Sequence, residues 1–178
     1  LTTHAVYWST MLKAIGLEPP KNIFAHGWWT VNGQKMSKSL FNVVEPNNLI
    51  DQFGVDVIRY FLLREVPFGL DGDFSHKALI VRLNSDLANN FGNLLNRTIS
   101  MMKKYFDGVI PIPGSTSGED ITLTNKSKEV IGDVRKLYDE LAYNKILQKI
   151  WELVDTTNQY IDKAGPWNLV KTDEGKER

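Results

Sequence analysis

The feature that most constrains the fold is the helical periodicity that fills the second half of the chain. Apolar residues recur at spacings of three and four over residues 79–102 and again over residues 130–161. Ser75 is a suitable N-cap for the first run, and Gly165 followed by Pro166 is a stop signal for the second. Short connections between amphipathic helices place neighbours antiparallel. Residues from about 74 onward are therefore predicted to form an antiparallel helical bundle.

Details of this bundle also follow from the sequence. Residues 107–125 are rich in Gly, Pro, Ser and Thr and predict a long linker, after which a helix restarts at Thr124 or Asn125. Asn144 is predicted to cap the last helix. Three residues are expected to bend the first long helix: Asn89, Asn90 and Gly92.

The first part of the chain has a mixed pattern. Residues 4–15 have a helical apolar stripe that ends at Gly16, and residues 22–26 are predicted to be a short buried strand. Residues 28–34 contain the pair Asn32-Gly33, which favours a hairpin turn. One strand cannot make a sheet, so we expect further strands in sequence outside this chain, and we interpret the first part as the tail of a Rossmann-like α/β domain.

Two more helices are predicted before the bundle. Pro46 suits the first turn of a helix that runs to about Phe53 and ends at Gly54, and Asp56 is expected to open the next. Residues 67–72 are predicted to be a break.

Composition excludes several classes of protein. The 178 residues contain 21 basic and 21 acidic side chains, so any contact with a nucleic acid must be local. The absence of Cys excludes disulfides and a thiolate zinc site, and we predict no metal site in this chain. No apolar run of membrane length and no signal-peptide pattern occur, so we expect no membrane partner and a cytoplasmic location. The first residue is not Met and residues 171–178 form a charged tail, which suggests a fragment of a longer enzyme.

The strongest chemical signal is the segment Lys35-Met36-Ser37-Lys38-Ser39, here called the signature loop. It follows the predicted hairpin turn and is expected to be a mobile loop. Two ammonium groups on one short loop repel each other unless a polyanion lies between them. The residues therefore indicate a partner with a run of phosphates.

The signature loop resembles the KMSKS loop of class I aminoacyl-tRNA synthetases, and residues 25–34 resemble the segment that precedes it in the methionyl-tRNA synthetase family. Further blocks that resemble this family follow in the same order, and the resemblance covers nearly the whole chain. It implies two domains: residues 1–73, the C-terminal part of a catalytic domain, and residues 74–178, a helical anticodon-binding domain. The further blocks are residues 4–8, 55–61, 93–97 and 164–167.

The resemblance also implies roles for individual residues. Lys38, with Lys35, would stabilise charge on the phosphates of ATP, taken up with Mg²⁺, as methionine attacks the α-phosphate. His4 and Trp8 would line the methionine pocket, although a His on an apolar helix face is more often a core residue. The residues expected at the ATP site are His26, Gly27, Trp28, Lys35, Ser37, Lys38 and Ser39.

Asn93 and Arg97, four apart on one helix, and Trp167 would read the CAU anticodon of tRNA(Met) by edge hydrogen bonds and stacking. From the residues alone, a solvated polar face and a core Trp are the alternatives. Lys103, Lys104 and Arg82 are candidates for phosphate contacts or ordinary solvated charges.

The resemblance predicts part of a methionine–tRNA ligase that works with ATP, methionine and tRNA(Met) and needs the missing N-terminal half of its catalytic domain. The fragment alone is expected to be inactive. The alternatives are a catalytically silent helical tRNA-binding module, a sister class I synthetase, or a structural bundle without a ligand. One departure from the family pattern is Phe41, a bulky residue where the family has a Gly that permits positive φ.

Overall fold

The computed structural model describes residues 2–172 and Gly175. Of the charged tail 171–178, residues 173, 174 and 176–178 lie outside this description, as does residue 1. Most described residues are helical, as predicted. The helices are α1 (Trp8–Ala14), α2 (Pro46–Phe53), α3 (Val55–Glu65), α4 (His76–Arg82), α5 (Asn93–Phe106), α6 (Gly118–Asp139), α7 (Tyr143–Ala164) and α8 (Pro166–Leu169), with π-helical segments Thr3–Tyr7 and Leu83–Gly92 and a 3₁₀ turn Lys38–Leu40.

A small sheet of three strands lies before the long helices. Strands β1 (Trp29–Val31) and β2 (Gln34–Lys35) form the predicted antiparallel hairpin, and the φ angles of Asn32 (53°) and Gly33 (72°) are both positive, as the turn requires. Strand β3 (Gly72–Phe74) pairs parallel with β1 on its other side. The sheet is therefore completed by a segment for which the sequence predicted only a break.

The prediction of a buried strand at residues 22–26 is wrong. These residues belong to no strand in the described part of the chain, and all five are exposed. Phe24 stacks on Phe68 with ring centroids 4.6 Å apart, so its apolar surface meets a loop residue and not a sheet. A short apolar run becomes a buried strand only when another strand is available to pair with it.

The N-terminal helix forms as predicted and ends before Gly16, whose φ is +78°. Its apolar stripe, however, is largely exposed: Trp8 is 53% and Ile15 is 71% exposed. Neither α1 nor the π-helical turn before it buries a residue. Periodicity thus predicted the helix correctly but not its packing.

Helices α2 and α3 meet at Gly54, whose φ of +85° ends the first and starts the second. Pro46 occupies the first turn of α2, as predicted, and α3 begins at Val55, one residue before the predicted Asp56. This sharp joint packs the two helices against each other.

The main hydrophobic cluster joins the sheet to α2, α3 and α4. Phe61 is 1% exposed, and its ring lies 6.0 Å from that of Trp29 and 5.7 Å from that of Phe74, the latter edge to face. Residues from both sides of the predicted boundary at 73/74 are buried together here, so β3 and α4 are anchored on the same core. The buried members are Leu49, Ile58, Phe61, Phe74 and Leu79.

Helix α4, the π-helical segment and α5 form one long helical run, and the Ser75 hydroxyl accepts a hydrogen bond from the Ala78 amide (3.0 Å), as predicted for an N-cap. The three residues expected to bend this run all lie in its π-helical segment, Leu83–Gly92. A polar junction ties this run to α3. The hydroxyl of Tyr60 donates to Asp86 (2.6 Å), and burial together with this bond raises the pKa of Tyr60 above its ordinary value.

Helix α6 runs antiparallel to α7, since Glu119 faces Lys163 and Asp133 faces Lys149. The long run that ends in α5, in contrast, lies parallel to α7: Asn90 pairs with Asp155 and Arg97 with Asp162, both 65 residues apart. The consecutive helices α5, α6 and α7 therefore alternate in direction, and the parallel pair α5 and α7 are not neighbours in sequence. Helix α6 begins at the end of the bundle where α5 ends, since Phe106 and Asp120 line the same pocket.

Two predicted boundaries in this region are corrected. Helix α6 begins at Gly118, well before Thr124, because Ser117 and Asp120 form a capping box in which each side chain bonds the other residue's backbone amide. Asn144 does not cap α7; it lies inside the first turn and is 7% exposed. None of the helices in the described part of the chain combines the length and the apolar character needed to span a membrane.

Candidate functional site

The signature loop begins in the hairpin at Lys35 and continues into a 3₁₀ turn. Lys35 is the last residue of β2, and its ammonium lies 4.7 Å from the centroid of the Trp28 ring. The hydroxyls of Ser37 and Ser39 share a hydrogen bond of 2.7 Å. Lys38 begins the 3₁₀ turn Lys38–Leu40 and is exposed. The loop thus presents one lysine to solvent and holds the other near an indole.

Asn42 connects the two sides of the loop. Its side-chain oxygen accepts a hydrogen bond from the Ser37 amide (2.8 Å), and its side-chain nitrogen donates to the Lys35 carbonyl (3.2 Å). Phe41, just before it, has φ 51° and ψ 27°, and its side chain is 95% exposed. The left-handed conformation expected from the family glycine is therefore present with a bulky residue in it.

Gly27 and Trp28, two of the residues predicted at the ATP site, lie against the loop that enters β3. The Trp28 amide donates to the Asp71 carboxylate (2.7 Å), and the Trp28 carbonyl accepts from the Gly72 amide (2.8 Å). A Cβ on Gly27 would lie 2.1 Å from the Leu70 carbonyl oxygen. The absence of a Cβ at Gly27 thus permits the close approach of the protein's own backbone at Leu70.

A cavity of about 210 Å³ lies beside this segment. His26 and Gly27 form part of its wall, and the ring of His26 lies 6.3 Å from that of Phe68. The rest of the wall is mostly apolar and comes from the end of α3, the loop before β3 and Tyr143 of α7.

The hairpin turn ahead of the signature loop is held by a carboxylate from β3. Asp73 accepts hydrogen bonds from the Thr30 hydroxyl (2.6 Å) and the Gly33 amide (2.7 Å). These bonds, the first of them foremost, hold the pKa of Asp73 below its usual value. The start of the signature loop is therefore fixed from a strand about 40 residues away.

His4 and Trp8, predicted to line a methionine pocket, lie one turn apart on the N-terminal helix, and both are exposed. They share a face, as predicted, but the described residues do not enclose them.

The three predicted anticodon residues come from two distant parts of the chain, and two of them, Arg97 and Trp167, meet near one end of the bundle. The Arg97 guanidinium lies 6.0 Å from the centroid of the Trp167 ring, and Arg97 also pairs with Asp162 of α7 (2.5 Å). Asn93 lies one turn before Arg97 and is exposed, and Trp167 is 38% exposed. The cluster therefore presents an amide, a guanidinium and an indole to solvent.

The other candidate cations are placed differently. Arg82 pairs with Glu65 (2.8 Å) and Asp86 (3.5 Å), and the bond to Glu65 raises its pKa, so it is committed to the protein. Lys103 is exposed, and the ammonium of Lys104 lies 5.2 Å from the ring of Tyr105. Within residues 2–172 and Gly175, no three His, Cys, Asp or Glu side chains are grouped to hold a metal ion.

Sequence reasoning missed the residues that hold these sites in place: Asn42, Asp73 and Asp162. Asp162 carries no signal that separates it from the other acidic residues of α7, and Asp73 lies just after the predicted break at residues 67–72. Only Asn42 had a local signal, because it directly follows Phe41, where the chain departs from the family pattern.

Comparison with known proteins gives consistent results. Residues 1–99 match the family model described as tRNA synthetases class I (M). The methionine–tRNA ligase of Caldanaerobacter subterraneus subsp. tengcongensis is 53% identical over 173 residues, which are 97% of this chain and 27% of that protein. The ligase of Clostridium perfringens is 49% identical over 178 residues, 100% of this chain and 28% of that protein.

Solved structures agree with these relatives. Mycobacterium tuberculosis methionyl-tRNA synthetase in complex with methionyl-adenylate matches with a TM-score of 0.92 and 41% identity over 99% of this chain and 36% of that chain. Its apo form matches with a TM-score of 0.87 and 38% identity, over 99% and 35%. This chain thus spans little more than a quarter of the curated relatives. By its family model, relatives and fold, it belongs to the methionyl-tRNA synthetase family of class I tRNA synthetases.

Proposed function

We propose that this chain is part of a methionine–tRNA ligase and supplies its signature loop and its recognition of the CAU anticodon of tRNA(Met). The observation that carries the proposal is the contact between Arg97 and Trp167, which lie 70 residues apart, with the exposed Asn93 one helical turn before Arg97. Family membership supplies the substrates: ATP, methionine and the tRNA.

In the proposed reaction, the methionine carboxylate attacks the α-phosphate of ATP, an acyl–phosphate bond forms and pyrophosphate leaves. We assign to Lys38, with Lys35, the stabilisation of charge on the phosphates. A preorganised donor of this kind is worth about 3 kcal/mol. The exposed position of Lys38 on a hydrogen-bonded turn supports this role. Mg²⁺ would arrive with ATP, held mainly through its phosphates.

The remaining ATP contacts are assigned to His26, Gly27 and Trp28, for the adenosine part, and to Ser37 and Ser39. What supports the first group is that His26 and Gly27 line a cavity and that the Trp28 ring lies beside the Lys35 ammonium. The hydroxyls of the two serines bond each other on either side of Lys38 in the sequence.

His4 and Trp8 are assigned to the methionine side chain, for which flat aromatic walls suit a thioether. Because both are exposed in this chain, the pocket would need to be closed by the N-terminal half of the catalytic domain. We accordingly propose residues 1–73 as part of a catalytic domain, residues 74–178 as an anticodon-binding domain, and the cytoplasm as the location.

Anticodon recognition would use the same contacts that bring the cluster together. A splayed base stacks on the Trp167 indole, while the Arg97 guanidinium and the Asn93 amide bond base edges. Asp162 fixes the guanidinium through an ion pair, so Arg97 does not have to be ordered when RNA binds.

The test is binding of an anticodon stem-loop to the full-length protein that contains this sequence. We expect Trp167→Ala, or a change of the wobble cytosine, to weaken binding by about 1–3 kcal/mol, which is about five- to 150-fold in Kd. Trp28→Ala is the matched control, because Trp28 is also an exposed indole but lies beside the signature loop. Lys38→Ala should leave stem-loop binding unchanged and lower the rate of methionine-dependent exchange of pyrophosphate into ATP by about 3 kcal/mol, on the order of 100-fold, which leaves a measurable residual rate.

Equal, salt-sensitive binding of every stem-loop would contradict the anticodon assignment, because phosphate contacts alone carry no sequence information. An exchange rate that Lys38→Ala leaves unchanged would contradict the assignment of the signature loop.

A second candidate function is a tRNA-binding module that is catalytically silent on its own. One observation favours it for this chain in isolation: Trp8, Phe24 and Trp28 are 53%, 52% and 66% exposed, so the catalytic part presents apolar surface that is not packed. Stem-loop binding without any exchange activity in the full-length protein would select this alternative.

A further inference from the structure

The signature loop is closed by a side chain to which no role has been assigned. The side-chain oxygen of Asn42 accepts a hydrogen bond from the backbone amide of Ser37 (2.8 Å), and its side-chain nitrogen donates one to the backbone carbonyl of Lys35 (3.2 Å). Both contacts reach back across the loop, so residues 35–42 form a ring closed by one side chain. Asn42 uses a donor and an acceptor here, which a Ser, an Asp or an Ala in its place does not provide in the same geometry.

The ring is anchored to the folded core on both sides. Met36 and Val44 pack against the cluster of Phe61, Phe74 and Leu79. The loop base is thus fixed by hydrophobic contacts, and Asn42 lies between the two anchors. Only the part between them, which contains Lys38, is free to take more than one shape.

Within the ring, the backbone makes a tight turn. The Leu40 amide donates a hydrogen bond to the Ser37 carbonyl (3.1 Å), and the Phe41 amide donates one to the Lys38 carbonyl (3.3 Å). Phe41 ends this turn with a left-handed backbone conformation. An exposed non-glycine residue gains nothing from packing to offset that conformation. The bonds of Asn42, the next residue, are the contacts that hold it.

We propose that Asn42 is a positioning residue for Lys38: it holds the signature loop in a preformed turn and so sets where the ammonium meets the phosphates of ATP. This inference rests on the function proposed above for Lys38. Charge stabilisation depends on donors that are already placed when charge develops. Loss of Asn42 therefore lowers the rate of the chemical step and leaves the binding of methionine as it was.

The experiment measures methionine-dependent pyrophosphate exchange by the full-length protein that contains this sequence. Asn42→Ala is expected to lower kcat on the order of tenfold, with the KM for methionine unchanged, since two hydrogen bonds are removed. Asn48→Ala, an exposed asparagine in α2, is the matched control and should leave both constants unchanged. Asn42→Asp keeps the acceptor for the Ser37 amide, loses the donor, and should give an intermediate loss; it also serves if Asn42→Ala does not fold.

A double-mutant cycle separates positioning from general damage. In a Lys38→Ala background, Asn42→Ala should lower the residual rate less than about twofold, because the group it positions is gone. Additive losses, or an Asn42→Ala protein that behaves like Asn48→Ala, would overturn the inference while the proposed function stands.

Hydrogen exchange at the Ser37 amide gives a reading that does not depend on activity. Exchange should become faster in Asn42→Ala and remain unchanged in Asn48→Ala. If the unmodified protein shows no pyrophosphate exchange, the proposed function fails, and the Ser37 exchange rate then decides whether Asn42 holds the loop.

Discussion

Replacing Phe41 by glycine is expected to leave the protein as stable as before or more stable, although glycine usually destabilises. Phe41 has φ 51° and ψ 27°, in the left-handed region. That region costs an L-residue about 1–2 kcal/mol, and glycine enters it freely. The substitution therefore removes a strain that the native residue carries.

The opposing terms are small because the side chain makes little contact. With 95% of the residue exposed, only the remaining 5% of roughly 200 Å² is covered, or about 10 Å², which is worth about 0.25 kcal/mol. The greater freedom of glycine in the unfolded chain costs about 0.5–1 kcal/mol. The net change in the free energy of unfolding is about 0 to +1 kcal/mol.

The assay is urea denaturation of Phe41→Gly and Phe41→Ala, with the same pair at Leu40 in the 3₁₀ turn as control. Changing alanine to glycine should stabilise the protein at Phe41 by up to about 1 kcal/mol and destabilise it at Leu40 by about 0.5–1 kcal/mol. A Phe41→Gly protein less stable than Phe41→Ala would refute the reasoning, since the two differ only in the Cβ.

Three further predictions concern the scaffold. Phe61→Ala should lower the free energy of unfolding by about 3–5 kcal/mol in the same assay, because the ring is 1% exposed among aromatic neighbours; Phe68→Ala, at 39% exposure, should cost clearly less. Because the pKa of Asp73 is lowered in the folded protein, its contribution to stability is present above the unfolded pKa and is lost as the pH falls through the folded pKa. The free energy of unfolding, measured against pH, should therefore fall less on acidification in Asp73→Asn than in the unmodified protein. The pKa of Tyr60 is raised, so its contribution to stability is present below the unfolded pKa of tyrosine and is lost as the pH rises through the folded pKa. An ultraviolet titration should show one phenol that ionises later than the others and that is missing in Tyr60→Phe. If Tyr60 ionised together with the exposed tyrosines, the assignment would be contradicted.

Local sequence signals predicted local structure well. The turn at Asn32 and Gly33, the cap at Ser75 and the stops at Gly16, Gly54 and Gly165 are all confirmed. Each of these depends on the backbone preference of one residue or on a bond within three residues, so the sequence contains the whole cause.

Errors arose where packing decides. The segment 22–26 and the stripe on α1 are apolar enough to be buried, but burial requires a partner surface, and the described chain provides little. The linker composition predicted too late a start for α6, because the capping box at Ser117 outweighed the weak helix propensity of the residues that follow.

For the candidate sites, the sequence with its family resemblance was enough to predict which residues carry the chemistry: the lysines and serines of the signature loop, and Asn93, Arg97 and Trp167. Their roles stay predictions until the binding and exchange experiments are done. What only the tertiary structure decided is how these residues are held, by β3 beside the hairpin, by Asp73 on the turn, and by Asp162 on Arg97. These contacts join residues about 40 to 65 positions apart, and no local preference encodes such a distance; it is set by how the helices and strands pack around their shared core.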